Sequence, residues 1–530
     1  MTGTILGIAL ESTIEASRRG QQDNQTCKNK SIKKVYLIAV IAASFAAAAA
    51  ENPPRDAAQR ELYSAHWPRA ADLYRDIVRD DPSWGAGWDS LVRALIEAHR
   101  AAEAYEAADE AMKSAPETAG AYTAQGRALW RQGQLAKAEA SFRKATSLDA
   151  KNPYALEGLA RVFRTVAKFA TAERLETSAY QAAPDDPGLV LGWANTLKGA
   201  AHIEALRRAL SIYDPNTEEA KRLRAHIAAD TTIGDRHTRT LASPYRNYEL
   251  SLVDIYDNPK YPHGVGLHVK FNDSYQGTLL LDSGAGGISL SRKAAKKAGF
   301  ETLEEEGGDV RGIGDKEPAS EFRNLANEVR IGDLVVQNCP VSIFDTAKDS
   351  SHDGLIGTDF FSKFLVELDW PHKKLRLSPY PGLTAPPDGV HDSDDRLPAG
   401  FQRIFYFGHL VIPTYINDGP ARLFIIDSGS SANLINVTAA RDTTKVHRDN
   451  YTNVQGVQGR VKEVSRADRV RLRFSTFSQD NADMVAVDLS RMSDDMGIEM
   501  GGLLGMTVLR NLAMTIDYRN AAIHFEFERR

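Results

Sequence analysis

The stretch Leu423-Phe424-Ile425-Ile426-Asp427-Ser428-Gly429 constrains this 530-residue chain more than any other. Four apolar residues predict a buried strand, and an acid then stands on the tight turn that ends it. A carboxylate placed behind such a strand is costly unless it is paired or put to use. The same phrase occurs once earlier, as Thr278-Leu279-Leu280-Leu281-Asp282-Ser283-Gly284.

The duplication goes further. Asp282 and Asp427 are 145 residues apart. Gly312-Ile313-Gly314 and Gly456-Val457-Gln458-Gly459 follow at an offset of 144, and Leu355-Ile356-Gly357 and Leu503-Leu504-Gly505 at 148. Each copy then runs into a strand-like segment closing on Asp-aromatic, Asp369-Trp370 and Asp517-Tyr518. Four landmarks in one order at nearly one spacing define a tandem repeat.

The length leaves room for three or more domains. A net charge of −5 gives no reason to expect a nucleic-acid partner. The cysteines, Cys27 and Cys339, cannot make a disulfide framework, and no Cys/His cluster suggests zinc. No metal or organic cofactor is expected. His352, His372 and His409 read as surface or satisfied core residues. Residues 1–50 form a leader: Lys28, Lys30, Lys33 and Lys34 precede the apolar run Val35–Phe45 and the small residues Ala46–Ala50. It predicts export to a periplasmic or outer space, with membrane contact only if the leader is kept.

Residues 51–230 read as a helical repeat domain. Pro82, Pro116, Ala150 and Pro184 recur every 34 residues, with Ala70, Ala104, Ala138 and Ala172 and then Ile77, Ala111, Ala145 and Ala179 at fixed places before them. Small residues there let the two helices of a hairpin approach closely. The pattern, clearest in the copy holding Tyr122, Gly126, Gly133 and Phe142, resembles the tetratricopeptide repeat. Glu176 stands where that repeat usually has an aromatic residue, and the helical segment 186–229 suits a cap. The resemblance implies a groove for a protein partner, and no chemistry.

After the polar segment 231–245 the chain changes to short strands with glycine turns, predicting a small β-barrel in each of two lobes, 246–385 and 395–530. Pro381–Gly400 reads as the linker between them. This half resembles the bacterial retropepsin-like aspartic proteases. The fold class is therefore α plus all-β: a tetratricopeptide-like solenoid followed by two tandem retropepsin-like lobes. The resemblance implies that Asp282 and Asp427 are catalytic, with Ser283, Gly284, Ser428 and Gly429 completing their loops. It puts Gly312, Ile313, Gly314, Gly456, Val457 and Gly459 in flap hairpins, and the Leu355 and Leu503 segments beneath the catalytic loops.

Two carboxylates sharing a proton suit peptide hydrolysis, since one activates water while the other protonates the carbonyl oxygen. The expected activity is aspartic endopeptidase, on a protein or peptide substrate. The alternatives are an inactive peptide-binding module on the helical scaffold, and a pure scaffold. Ser430 follows Asp427-Ser428-Gly429 where Ala285 follows the first copy. A Ser430 hydroxyl bonded to Asp427 would make Asp427 the ionised partner and Asp282 the protonated one. The array is expected to orient substrate only, so that a chain beginning near Thr231 still cuts short peptides.

Overall fold

The computed structural model describes residues 53–527 apart from 235–237, 257–263, 301–307, 311–318, 345–350, 388–389, 453 and 455–460. The leader, both flap glycine segments and Cys27 lie outside the described residues.

The 34-residue spacing is written into helix starts. After α1 (Pro53–Tyr63) and α2 (Trp67–Asp80) come α3 (Gly85–Glu97), α4 (Ala101–Ser114), α5 (Ala119–Arg131), α6 (Leu135–Leu148), α7 (Pro153–Thr165) and α8 (Phe169–Ala182). Then α9 (Pro187–Ala194), α10 (Gly199–Leu210) and α11 (Glu218–Ile233) end the array, the last running three residues past the expected boundary. Thr118, Asn152 and Asp186 each cap the helix that follows by accepting backbone N–H groups. The predicted small positions are buried at the hairpin contacts. Phe142 shows why: a Cβ on Gly126 or Gly158 would fall 2.5 or 2.4 Å from its ring. Glu176 is buried where an aromatic side chain was missed, and the Arg164 guanidinium pairs with both of its oxygens. These hairpins stack as a tetratricopeptide-like solenoid.

The first lobe comprises β1 (Tyr248–Ser251), β2 (Gly264–Phe271), β3 (Tyr275–Asp282), β4 (Ile288–Ser291), β5 (Ala319–Ile331), β6 (Leu334–Phe344), β7 (Gly354–Gly357), β8 (Leu365–Asp369) and β9 (Lys374–Ser378). Strands β2, β3, β7, β4, β6 and β5 close into a six-stranded barrel, because β5 pairs with both β2 and β6. The second lobe comprises β10 (Gln402–Arg403), β11 (Phe405–Tyr406), β12 (Leu410–Ile416), β13 (Ala421–Ile426), β14 (Leu434–Asn436), β15 (Val464–Phe474), β16 (Phe477–Val487), β17 (Met500–Leu504), β18 (Leu512–Asp517) and β19 (Ala522–Phe527). Its ring, β12, β13, β17, β14, β16 and β15, closes through β15 against β12 in the same sequence of parallel and antiparallel pairs. The repeat is thus one of topology as well as of sequence.

The lobes share a third sheet. Strand β8 pairs antiparallel with β18, Val366 opposite Ile516 and Leu368 opposite Met514, flanked by β9 and β1 on one side and β19 and β10 on the other. The Asp-aromatic landmarks begin the turns of this sheet. Asp369 accepts the His372 N–H at 3.0 Å and Asp517 the Asn520 N–H at 2.9 Å.

The linker and the array are not independent of the lobes. His391–Asp395 docks on the turn between α7 and α8, where Ser393 donates its N–H to Ala167 O and Lys168 pairs with Asp395. Trp130, Leu135, Phe142, Leu159 and Val162 of the array form one apolar core with Val411, Leu423, Ile425, Met500 and Leu503 of the second lobe. Around it Arg131 pairs with Asp494, and the Tyr105 hydroxyl donates to Glu499. The array is thus more than an appended module for orienting substrate, because β13, the strand that leads into Asp427, is itself sealed by it.

A chain beginning at Thr231 is therefore expected to expose that apolar face, bind a hydrophobic dye and self-associate. In the intact chain Phe142→Ala should cost about 3–5 kcal/mol. Thermal unfolding and size-exclusion chromatography check both; a monomeric truncation melting with the full chain would contradict the shared core.

Candidate active site

Each aspartate is placed by a strand inserted from later in the chain. Strand β7 lies parallel to β3, with Gly357 opposite Asp282, and antiparallel to β4, so it separates the two strands that flank the first loop. Strand β17 does the same between β13 and β14, and the Asp427 N–H donates to Leu504 O at 2.9 Å. The apolar-apolar-Gly segments thus lie beneath the loops, as expected. Asp359 holds the first loop by accepting the Gly287 N–H at 2.8 Å. In the second lobe Asn433 takes a comparable part, accepting the Gly505 N–H at 2.9 Å. That is how the lobes tolerate Thr358-Asp359 in one and Met506-Thr507 in the other.

The loops meet through their serines. The Ser428 N–H donates to Ser283 Oγ at 3.0 Å and the Ser283 N–H to Ser428 Oγ at 2.9 Å. Each hydroxyl in turn donates across the interface, Ser283 to Ile426 O at 2.9 Å and Ser428 to Leu281 O at 3.0 Å. Both serines are buried, so these four bonds satisfy groups that water cannot reach. A hydroxyl in the Asp-Ser-Gly phrase is sufficient for all of them.

The glycines set how close the acids come. A Cβ on Gly284 would stand 2.8 Å from Asp427 Oδ1, and one on Gly429 2.5 Å from Asp282 Oδ2. With hydrogen there instead, the two carboxyl groups are hydrogen-bonded neighbours. Asp282 Oδ1 accepts two backbone N–H groups, Gly284 at 2.7 Å and Gly429 at 3.1 Å. Asp427 Oδ1 accepts that of Ser430 at 3.0 Å.

Burial raises both acids above the ordinary carboxylate range. For Asp282 the N–H groups of Gly284 and Gly429, the bond to Asp427 and the charge of His409 pull back. For Asp427 the negative charge of Asp282 adds to burial, and it is held well above the usual value. Two backbone N–H groups on one oxygen of Asp282 favour it as the ionised partner, with the shared proton on Asp427. This reverses the assignment drawn from Ser430, whose hydroxyl donates to Ala432 O at 2.8 Å and leaves Asp427 the backbone N–H groups of Ser430 and Gly429.

His409 is a residue that the sequence reading placed wrongly. It follows Gly408 (φ +76°) at the tip of the hairpin between β11 and β12, which the Phe407 N–H closes on His409 O. Its Nδ1 is buried without a hydrogen-bond partner, and its charge bears on Asp282 in the other lobe. The array supports that tip, with Trp130 edge-on to Phe407 at 5.6 Å. No sequence period connects residues 409 and 282. His352 and His372 do read as expected, bonded to Gly354 O and Asp369.

Asp282, Ser283, Gly284, Asp427, Ser428, Gly429 and Ser430 are thus brought together. Gly312, Ile313 and Gly314 lie outside the described residues, although Gly308–Val310 pairs antiparallel with the start of β5. Gly456, Val457 and Gly459 lie outside them as well.

Residues 267–360 and 412–508, one stretch in each lobe, match the family described as aspartyl protease. Solved structures that match include the crystal structure of MamA, at 14% identity over 29% of this chain and 93% of that one, with a TM-score of 0.20. The APC/C hetero-tetramer Cut9–Hcn1 matches at 16% over 32% of this chain, which spans only 40% of that one, with a TM-score of 0.25. Pseudomonas aeruginosa PilF matches at 18% over 34% of this chain and 85% of that one, with a TM-score of 0.23. No curated protein matches the chain.

A carboxyl whose pKa is raised by folding stabilises the folded state fully below its unfolded value of about 4, and this contribution is lost as pH rises through the folded value. The pair therefore costs stability toward neutral pH. Asp427→Asn removes that cost and is expected to raise the melting temperature at pH 7. The gain should shrink as pH falls through about 4, below which the wild-type pair is protonated in both states. Thermal denaturation across pH checks this, and a variant less stable than wild type at pH 7 would contradict the repulsion.

Proposed function

We propose that the chain is an aspartic endopeptidase that hydrolyses peptide bonds with a water activated between Asp282 and Asp427. The observation that carries this reading is the hydrogen-bonded carboxyl pair built at the meeting of two topologically identical lobes. The aspartyl protease match over both lobes supports it.

In the proposed reaction the ionised Asp282 accepts a proton from water as its oxygen attacks the scissile carbonyl carbon. Asp427 gives its proton to the carbonyl oxygen, so the tetrahedral intermediate carries two hydroxyls and no net charge. Asp282 then delivers its proton to the amide nitrogen while Asp427 recovers one from a hydroxyl, and the C–N bond breaks. Atoms and charges balance without a redox partner. Two N–H donors converging on one oxygen of Asp282 poise the pair in this sense before substrate arrives.

The substrate on this reading is a protein or peptide. The array presents it, or a partner carrying it, on the surface that the second lobe leaves open, since part of the solenoid is already buried against that lobe. The leader supports a proposal that the mature protein works outside the cytoplasm. Among the described residues no helix is long and apolar enough to cross a membrane.

Asp282→Asn and Asp427→Asn are each expected to reduce cleavage of a denatured protein mixture by about 10⁴-fold or more while the fold persists, because the acids act as one unit. Circular dichroism with sequencing of the cut ends checks this. Near-normal turnover in either variant would refute the shared mechanism, and a wild type that binds peptides without cutting them would favour an inactive binding module.

A further inference from the structure

Outside the aspartate pair, His202, His226 and Asp230 each bring one ligand atom to within 4.8 Å of the others. We propose that these three side chains bind one divalent transition-metal ion of the zinc class, tying the last two helices of the array together.

The placement is dictated by helix geometry. His226 and Asp230 are one turn apart on α11 and share a face, and His202 comes from α10. Asp230 Oδ2 is 3.1 Å from His226 Nε2 and 3.3 Å from His202 Nε2. Ligands held tetrahedrally at about 2.0–2.1 Å stand roughly 3.3 Å from one another, so these separations already match a coordination edge.

The tautomer of His202 strengthens the case. Its Nδ1 is 2.8 Å from Ala194 O, a carbonyl that only an N–H can satisfy. In the neutral ring Nε2 then carries a lone pair facing a carboxylate oxygen. Two acceptors at that distance require a cation between them, either an added proton or a metal. Fixing the outer nitrogen on a backbone carbonyl is also how histidine ligands are oriented toward a metal. Imidazole and carboxylate together suit zinc, copper, nickel or iron better than magnesium or calcium.

There is room for a further ligand. His202 and Asp230 line a cavity of about 580 Å³ whose opposite wall is Glu321, Arg323 and Gly286 of the first lobe. The Arg323 guanidinium is 3.8 Å from the other Asp230 oxygen. Gly286 lies in the loop that follows Asp282, so the site stands where the end of the array faces the first catalytic loop. A second group, His447, Asp468 and Asp483, meets the same distance criterion but is largely exposed. No second contact orients a ligand nitrogen there in the way Ala194 O orients His202, and it serves as the control.

The test uses the full chain stripped with a chelator and titrated with zinc chloride by calorimetry, with melting temperature followed in parallel. One zinc per chain and a melting temperature that climbs with zinc are expected. His226→Ala should weaken binding by about 100-fold or more and abolish the thermal shift. Asp230→Asn, which keeps the shape of the side chain, should do the same if the alanine variant folds poorly. His447→Ala should bind as wild type does. Wild-type binding no tighter than that of Asp230→Asn, or binding lost in His447→Ala, would overturn the site and leave the histidines as protonated partners of Asp230.

Discussion

The whole C-terminal half depends on forcing two carboxyl groups together out of water. Two like charges so placed, one buried and one half-buried, cost several kcal/mol unless a proton is retained and the surroundings donate hydrogen bonds. The structure supplies both. Backbone N–H groups from both loops converge on Asp282, and the crossed serine bonds lock the loops so that neither acid can withdraw. Each serine bond is worth about 0.5–1.5 kcal/mol net, but breaking one strands a buried N–H and costs more. That asymmetry makes the lobe interface rigid at the point where rigidity matters.

The surrounding architecture serves that contact at increasing distance. The sheet joining β8 to β18 fixes the lobes about their common axis, and β7 and β17 hold the loops from beneath. The array then takes part in the structure of the site as well as standing beside it. It seals β13, and through Trp130 and Phe407 it backs the hairpin that carries His409.

Much of this was legible in the sequence, for identifiable reasons. The repeated strand-Asp-Ser-Gly phrase singled out Asp282 and Asp427 because a buried acid is costly unless it is paired, and the structure does pair them. The 34-residue spacing located the central hairpins because helix starts from Trp67 to Pro187 follow it residue by residue. What escaped was tertiary. Ser430 looked like a donor to Asp427, yet its hydroxyl found the nearer carbonyl of Ala432, and local backbone competition won. His409 acts on an acid 127 residues earlier in the chain, a pairing that no local pattern encodes. The periodicity of the array placed its hairpins, and nothing in it announced that β13 would cover one face.

The central claim is that Asp282 and Asp427 form one coupled unit holding a proton well above the ordinary carboxylate range, with Asp427 its main bearer. Titrating the intact protein labelled with ¹³C at the aspartate carboxyls tests this most directly. The account predicts two separated steps for the pair, the upper dominated by Asp427, and the collapse of that upper step when Asp282→Asn removes the neighbouring charge. Two independent titrations near pH 4, unchanged by that substitution, would contradict it.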